Sequence, residues 1–214
     1  DSVIVERVCE EASARSQVPV LPTLNYTVSS GHTTKWPGTF SLSHETCINT
    51  VREIVAWAVA SGWSRVLLVN SHFGNDASLR VAVEQLRLEF LGRLQVGLQH
   101  TFKLSPEIWE YFISDAEDLH ANKAETDLML YLTPELVRMD QVEDDPDRTE
   151  GTGCSYPVAQ TSLNGVAGAP SEGAADKGGE IFEAMSTALV ALLERAKEEK
   201  APLEENYWSN LTMP

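Results

Sequence analysis

VLLVNSHFGNDASL, residues 66–79, is the stretch that decides the fold. Its first four residues are valine or leucine, which is typical of a short strand buried on both faces. The stretch therefore predicts a strand, a tight turn and a helix, with His72 at the carboxyl end of the strand. Ligands bind at that end in open α/β sheets, although a lone histidine in a turn often only hydrogen-bonds a loop backbone. The helical part rests on apolar residues spaced along one helix face, at Leu79, Ala82, Val83, Leu86 and Phe90.

Helical patterns and short apolar runs alternate along the rest of the chain. A second strand is predicted within 94–102, and two shorter β-prone runs lie at 18–21 and 40–42. This alternation predicts an α/β fold with a largely parallel sheet covered by helices on both faces. The helical patterns begin at Ser2, cover 45–61, start after Ser105, and fill 124–132 and 174–197.

The composition limits the class of protein. A chain of 214 residues, 43% of them hydrophobic, is expected to form one globular domain. The net charge of −16 argues against a nucleic-acid-binding face, and the acidic run 143–150 is predicted to be a solvated loop. The sequence shows neither a membrane-spanning run nor a signal-peptide pattern. Three widely spaced cysteines favour a reducing compartment, so a cytoplasmic location is expected.

Four side chains at separate positions are suited to chemistry. They are His72, Asp1 at the head of the first helix, and the pair His120 and Glu125, where a loop enters a helix. Imidazole and carboxylate groups bind zinc and manganese, and a histidine can carry a proton to a leaving nitrogen. Because His-x-x-x-x-Glu is not a strict metal-binding spacing, the residues alone leave both a metal site and ordinary surface positions open.

Four segments, in the same order along the chain, resemble one enzyme family. The element NSHFGN, residues 70–75, looks like the NGHGGN element of the creatininase family of metal-dependent amidohydrolases. The resemblance covers most of the chain. The other three segments that resemble the family are LPTLNYTVSSGHTTKWPGTFSLS (21–43), DLHANKAETDLMLYLTPELVRMD (118–140) and GVAGAPSEGAADKGGEIFEAMSTALVALL (165–193).

The resemblance implies a three-layer αβα sandwich with a largely parallel central sheet, often assembled as a hexamer. It also implies two divalent metal ions per chain (Zn, Mn or Fe), bridged by a carboxylate and a water. By their place in the family motifs, His72 matches a metal ligand and Asp1 the bridging aspartate. Glu125 matches a glutamate at or beside the metals, and His120 matches a histidine that handles protons.

The substrate pocket is expected beside the same motif, with His32, Phe73, Gly74 and Asn75 as its candidate residues. Creatinine-hydrolysing members of the family carry a glutamate ligand where this chain has Gly74. Creatinine itself is therefore not the expected substrate, and Glu125 is the expected replacement ligand. Backbone N–H groups around Gly74 and Asn75 are expected to stabilise an oxyanion.

The resemblance also implies an upstream element. In the family a Glu-x-His element with two further ligands stands shortly before the aspartate. Residues 1–214 are therefore expected to form a single creatininase-like domain that lacks its amino-terminal strand and the Glu-x-His segment.

The function implied by the resemblance is hydrolysis of a C–N bond in an amide, cyclic amide, formamide or small peptide, through a metal-activated water. The expected partners are a small-molecule substrate and further copies of the chain, with no nucleic acid and no membrane. Two alternatives stay open. One is a catalytically inactive relative that serves as a binding or assembly subunit. The other is a nucleotide-binding doubly wound domain, which the missing GxGxxG or Walker pattern disfavours.

Overall fold

The structure is a computed structural model that describes residues 1–32 and 35–209. Within these ranges, no helix is both long enough and apolar enough to cross a bilayer. The α-helices of this part are α1 (Ser2–Ser16), α2 (His44–Ala60), α3 (Asp76–Glu89), α4 (Pro106–Phe112), α5 (Lys123–Leu132), α6 (Val158–Thr161) and α7 (Ala175–Glu198), and the strands are β1 (Arg65–Asn70) and β2 (Gln95–His100).

The two strands form a parallel pair. They are in register from Arg65 opposite Gln95 to Asn70 opposite His100, and α3 makes the crossover that a parallel pair requires. Both strands therefore end at one edge of the sheet, and the predicted parallel sheet is confirmed.

Helices cover both faces of the sheet. Val66 and Leu68 of β1 belong to an apolar cluster with side chains of α2 and α3. Leu67 and Val69, which alternate with them, pack against a second cluster built from α1, α4, α5 and α7. Alternate residues of a strand point to opposite faces, so β1 contributes to two apolar cores. The predicted αβα sandwich is confirmed.

Local signals set the helix ends much as the sequence predicts. Ser43 caps α2, and Gly62 follows that helix with a φ of +94°, a conformation that favours glycine. Ser105 caps α4, and Pro106 occupies its first turn. The β-prone runs 18–21 and 40–42 are not strands of the sheet in the described residues. Neither run forms a ladder of backbone hydrogen bonds with a neighbouring strand.

Close packing between α5 and α7 fixes the position of α5. A Cβ atom on Gly178 would overlap the carbonyl group of Asp127, so α7 needs glycine at this crossing. The carboxylate of Asp127 is buried and accepts hydrogen bonds from the Ala174 N–H at 2.5 Å and the Lys123 Nζ at 3.1 Å. The loop that carries His120 leads directly into α5, so this packing also anchors that loop.

The acidic run 143–150 is only in part the solvated loop that its charge predicts, because most of its residues are exposed but one carboxylate is buried. Asp145 is buried, and its carboxylate accepts hydrogen bonds from Arg148 at 2.6 Å and from the Leu163 N–H at 2.7 Å. Asp144 accepts a hydrogen bond from the Ser171 hydroxyl at 2.6 Å. These carboxylates are satisfied within the protein and hold the acidic loop against the turns that precede α7.

Candidate active site

The turn after β1 brings His72 close to two backbone segments. A Cβ atom on Gly74 would lie 2.6 Å from the carbonyl oxygen of Val28 and 2.8 Å from Cε1 of His72. Both distances are too short for real atoms, so glycine allows the imidazole and the Val28 backbone to approach this turn. A glutamate at this position would require one of these neighbours to move.

The side-chain amide of Asn70 orients the turn. Its Nδ2 donates to the carbonyl oxygen of His72 at 2.7 Å, and its Oδ1 accepts the N–H of His72 at 3.3 Å. The side chain of Asn75 donates to the same Oδ1 at 3.0 Å and accepts the Val28 N–H at 2.9 Å. The backbone N–H of Asn75 donates to the His72 carbonyl oxygen at 3.2 Å. That N–H is therefore already used and does not match the predicted oxyanion-binding role.

Three imidazole rings meet beside this turn. The centroid of the His32 ring lies 4.2 Å from that of His120 and 6.3 Å from that of His72. The Nδ1 of His120 is hydrogen-bonded to the carbonyl oxygen of Gly165, so Nδ1 carries a proton and Nε2 is left for other chemistry. The Nε2 of His32 is buried and has no hydrogen-bond partner in the described structure. A buried polar atom of this kind is rare and indicates a missing ligand or water.

Glu125 supports the loop that carries His120. Its Oε2 accepts the Ala121 N–H at 2.7 Å, and its own N–H donates to the Asn122 Oδ1 at 3.2 Å. Ala121 has a φ of +48°, which is uncommon for a residue other than glycine. These hydrogen bonds stabilise that conformation, and one carboxylate oxygen of Glu125 is engaged in doing so.

The surroundings favour uncharged imidazoles. Burial, and to a smaller extent the neighbouring His120, lower the pKa of His72 to about 4, although the carboxylate of Glu125 acts in the opposite direction. Burial and the neighbouring His120 also lower the pKa of His32. Neutral imidazoles can bind a metal ion or accept a proton near neutral pH. Glu125 therefore lies within electrostatic range of the His72 ring.

The predicted metal ligands Asp1, His72 and Glu125 do not form a complete set of ligands around one point. Asp1 and His72 line the same cleft, and the imidazole and carboxylate types suit zinc or manganese. Across residues 1–32 and 35–209, however, no group of three His, Cys, Asp or Glu side chains is arranged to hold a metal ion. The described residues thus fit part of a metal site, and the ligand roles of Asp1, His72 and Glu125 stay predictions.

A cleft of about 700 Å³ follows the outer edge of β1 and reaches Asp1 and His72. Residues 18–24 and 65–72 line this cleft together with apolar side chains of α1 and α2. In the described structure β1 pairs with β2 alone, so backbone N–H and C=O groups on its other edge are unpaired within the sheet. The candidate site therefore lies at the carboxyl end of β1, a strand that has one side unpaired within the described sheet.

An aromatic group borders the turn on the β2 side. The ring of Phe73 is 40% exposed and stacks on Phe102 with centroids 4.4 Å apart. The Nζ of Lys103 lies 4.0 Å from the centroid of the Trp109 ring, and Trp109 is 6.2 Å from Phe73. Phe73 therefore packs on the β2 side of the turn, and its place in the substrate pocket stays a prediction.

Sequence reasoning missed His100. The sequence predicts a surface or packing residue there, but His100 is 8% exposed and is hydrogen-bonded to Asn70 at 3.0 Å and to Asp76 at 2.8 Å. The available signal was its place at the end of the second predicted strand, since parallel strands end at the same edge of a sheet.

A protein-family model described as creatinine amidohydrolase matches residues 1–193, nearly the whole chain. The chain belongs to the creatininase family. This confirms the resemblance carried by the four sequence segments. Since the creatininase family consists of amidohydrolases, nothing supports the nucleotide-binding alternative.

Known members of the creatininase family match in both sequence and fold. The creatinine amidohydrolase of Pseudomonas putida is 28% identical over an alignment 203 residues long. The alignment covers 86% of this chain and 76% of that protein. A mycofactocin precursor peptide peptidase of Mycobacterium ulcerans is 30% identical over 180 residues, covering 78% of this chain and 62% of that protein. A crystal structure of creatinine amidohydrolase superposes with a TM-score of 0.79 at 25% identity, covering 93% of this chain and 84% of that one. Related creatininase structures include Mn and Zn–Zn types and a complex with creatine.

Proposed function

We propose that this creatininase-family chain is a metal-dependent hydrolase of a C–N bond in an amide, cyclic amide, formamide or small peptide. The observation that carries the proposal is the cluster of His32, His72 and His120 at the carboxyl end of β1. The centroid of the His32 ring lies 4.2 Å from that of His120 and 6.3 Å from that of His72. The Nε2 of His32 has no hydrogen-bond partner among the described residues. Such a cluster of imidazoles suits metal binding and proton transfer.

Two divalent ions per chain, zinc, manganese or iron, are proposed for this site. His72 and Asp1 are the proposed ligands, with Glu125 as a further carboxylate at or beside them. The lowered pKa of His72 supports its role, because a ligand imidazole must be deprotonated. When bound, a divalent ion lowers the pKa of a bound water, so that hydroxide is available near neutral pH.

His120 is the proposed proton carrier. The Gly165 carbonyl oxygen holds its Nδ1, which leaves Nε2 as the nitrogen that exchanges a proton with the substrate. Glu125 keeps the His120 loop in place through the Ala121 N–H. Nε2 of His120 would take up the proton that the attacking water releases and pass it to the leaving nitrogen, and His32, whose ring lies beside it, would contact the substrate.

The open edge of β1 suggests where the remaining ligands enter. We propose that one extended strand leading into Asp1 fills the cleft between residues 18–24 and β1. The end of such a strand would reach the site, because Asp1 and His72 both line this cleft. It would also pair with the free edge of β1 and cover the apolar cleft. A Glu-x-His element on this strand would complete the metal site.

The pocket features argue against creatinine as the substrate. A side chain at position 74 would force the Val28 backbone or the His72 ring to move, so this position supplies no ligand of the kind found in creatinine-hydrolysing members. Phe73 adds an apolar wall beside it. We therefore propose another small cyclic amide, formamide or peptide, acted on by a cytoplasmic homo-oligomer, with a hexamer as the family resemblance implies.

Metal analysis and a substrate panel test this proposal. Protein that includes the residues encoded before Asp1 should bind about two divalent ions per chain. It should also hydrolyse at least one compound in a panel of cyclic amides, formamides and short peptides. Binding of no ion and turnover of no compound would favour the inactive assembly subunit instead.

Three histidine variants separate the proposed roles. His120→Gln should lower turnover by about 10²-fold or more with little change in metal content. His72→Gln should lower both. His44→Gln is the matched control, because His44 hydrogen-bonds Ser78 at 2.7 Å on α3 and lies outside the cluster. Full metal content and full activity in His72→Gln would contradict the assignment.

A further inference from the structure

We propose that His100 is a positioning residue that fixes His72 through the side-chain amide of Asn70. His100 lies outside the imidazole cluster and is not one of the residues that the sequence motifs single out. It ends β2 directly opposite Asn70, which ends β1. The proposal deepens the proposed function, and it rests on His72 being part of the working site.

The hydrogen bonds of Asn70 are fully used. Its Nδ2 donates to the His72 carbonyl oxygen at 2.7 Å and to the Nδ1 of His100 at 3.0 Å. Its Oδ1 accepts the His72 N–H at 3.3 Å and the side-chain N–H of Asn75 at 3.0 Å. A reversed amide would place its NH₂ group against two N–H donors and its oxygen against a carbonyl oxygen. The orientation of this one amide therefore decides whether the His72 backbone is held on both sides.

Asp76 decides which nitrogen of His100 carries the proton. The Nε2 of His100 lies 2.8 Å from Oδ1 of Asp76, a carboxylate that can only accept. Nε2 is therefore protonated, and the Nδ1 of the neutral ring accepts from Asn70. Arg80 donates from Nε to the two carboxylate oxygens of Asp76 at 2.8 and 2.9 Å, which keeps Asp76 in place.

Packing holds the His100 ring in the required plane. The ring is stacked on Phe102, with centroids 5.1 Å apart and an interplanar angle of 16°. His100 is 8% exposed, so water has little access to replace its hydrogen bond to Asn70. The chain of contacts therefore runs from Asp76 through His100 and Asn70 to the backbone of His72.

The tautomer gives a first test on the unaltered protein. The imidazole ¹⁵N spectrum of metal-free protein should show His100 with protonated Nε2 and unprotonated Nδ1 near neutral pH. An Nδ1-protonated neutral ring would overturn the proposal, because it could not accept from Asn70. This measurement does not depend on any variant folding or on any activity.

Two substitutions at the same position give the second test. His100→Asn places a side-chain oxygen where Nδ1 now accepts, whereas His100→Phe keeps an aromatic ring on Phe102 and removes the acceptor. Hydrogen exchange of residues 70–76 in metal-free protein should be faster in His100→Phe and close to wild type in His100→Asn. His44→Phe is the matched control and should leave this segment unchanged.

The activity readout separates this proposal from the proposed function. With an active substrate, His100→Phe should lower kcat by about tenfold or more and leave KM within about twofold, and His100→Asn should recover most of the loss. Equal exchange and equal kcat in the two variants would overturn the positioning role. If no substrate is turned over by wild type, the proposed function fails, and the exchange difference still decides the role of His100.

Discussion

At the scale of single residues, the site depends on close contacts that small changes would disturb. Gly74 is the clearest case, because its missing side chain lets the His72 ring and the Val28 carbonyl group meet the same turn. Burial and a neighbouring imidazole act on His72 together, so its charge state is also set by its position.

Gly74→Ala is expected to lower the free energy of unfolding by about 1–3 kcal/mol, because the new Cβ forces the Val28 backbone or the His72 ring to move. Thermal or urea unfolding measures this change. Gly153→Ala is the control, since a Cβ there meets nothing within 4 Å and its φ is ordinary. Equal stability of the two variants would contradict the close approach at Gly74.

The stability of the metal-free protein is expected to fall as the pH falls from about 6.5 to about 4. The pKa of His72 is about 4 in the folded protein, below its ordinary value of 6.5. Between these values the unfolded chain binds the proton and the folded chain does not, so protonation favours unfolding. Thermal midpoints measured across this range should fall less steeply in His72→Gln than in wild type or in His44→Gln. A parallel decline in all three proteins would rule out a contribution from His72.

At the scale of elements, the position of the loop that carries His120 depends on the position of α5, because the loop leads directly into that helix. This short helix is fixed by its crossing with α7, where Gly178 faces the carbonyl group of Asp127 and the buried carboxylate of Asp127 binds the start of α7. The geometry of the imidazole cluster therefore depends on a helix crossing outside the cluster.

Gly178→Ala is expected to destabilise the protein by about 1–3 kcal/mol or more, although alanine is the better helix former. The added Cβ overlaps the Asp127 carbonyl group and pushes α5 away from α7. In Gly179→Ala the Cβ meets the movable ring of Tyr131 at 3.1 Å, so the cost should be smaller. Unfolding curves for the two variants compare them directly. A greater loss in Gly179→Ala would contradict this account of the crossing.

At the scale of the whole molecule, one edge of β1 pairs with no other strand among the described residues. An apolar cleft of about 700 Å³ beside an unpaired strand edge exposes surface that folded proteins normally cover. The proposed strand leading into Asp1 would cover this surface and bring further side chains to the site.

Protein 1–214 is expected to bind a hydrophobic dye in this cleft, and protein extended by the residues encoded before Asp1 should bind less of it. The extension should also slow hydrogen exchange of β1 at 65–70 and raise the thermal midpoint. Exchange of α7, which is already packed in both forms, provides the internal reference. Unchanged dye binding and unchanged exchange of β1 would refute the strand proposal.

The sequence by itself determined the elements and their layering. The run Val66–Val69 is apolar at every position, and a strand covered on both faces brings all four side chains against an apolar cluster. Serine caps and the terminal glycine fixed helix ends, because these signals act between residues a few positions apart. The same local logic placed His72 at the carboxyl end of a strand.

Only the tertiary structure decided which distant side chains meet. The contact between the His32 and His120 rings and the hydrogen bond between Asn70 and His100 join residues that lie far apart along the chain. The charge of Asp145 suggests exposure, but the structure buries it. Periodicity reports which face of an element is apolar, but it carries no information on the partner that the face will find. Strand register and helix crossings supply that information, because they set the distances between side chains on different elements.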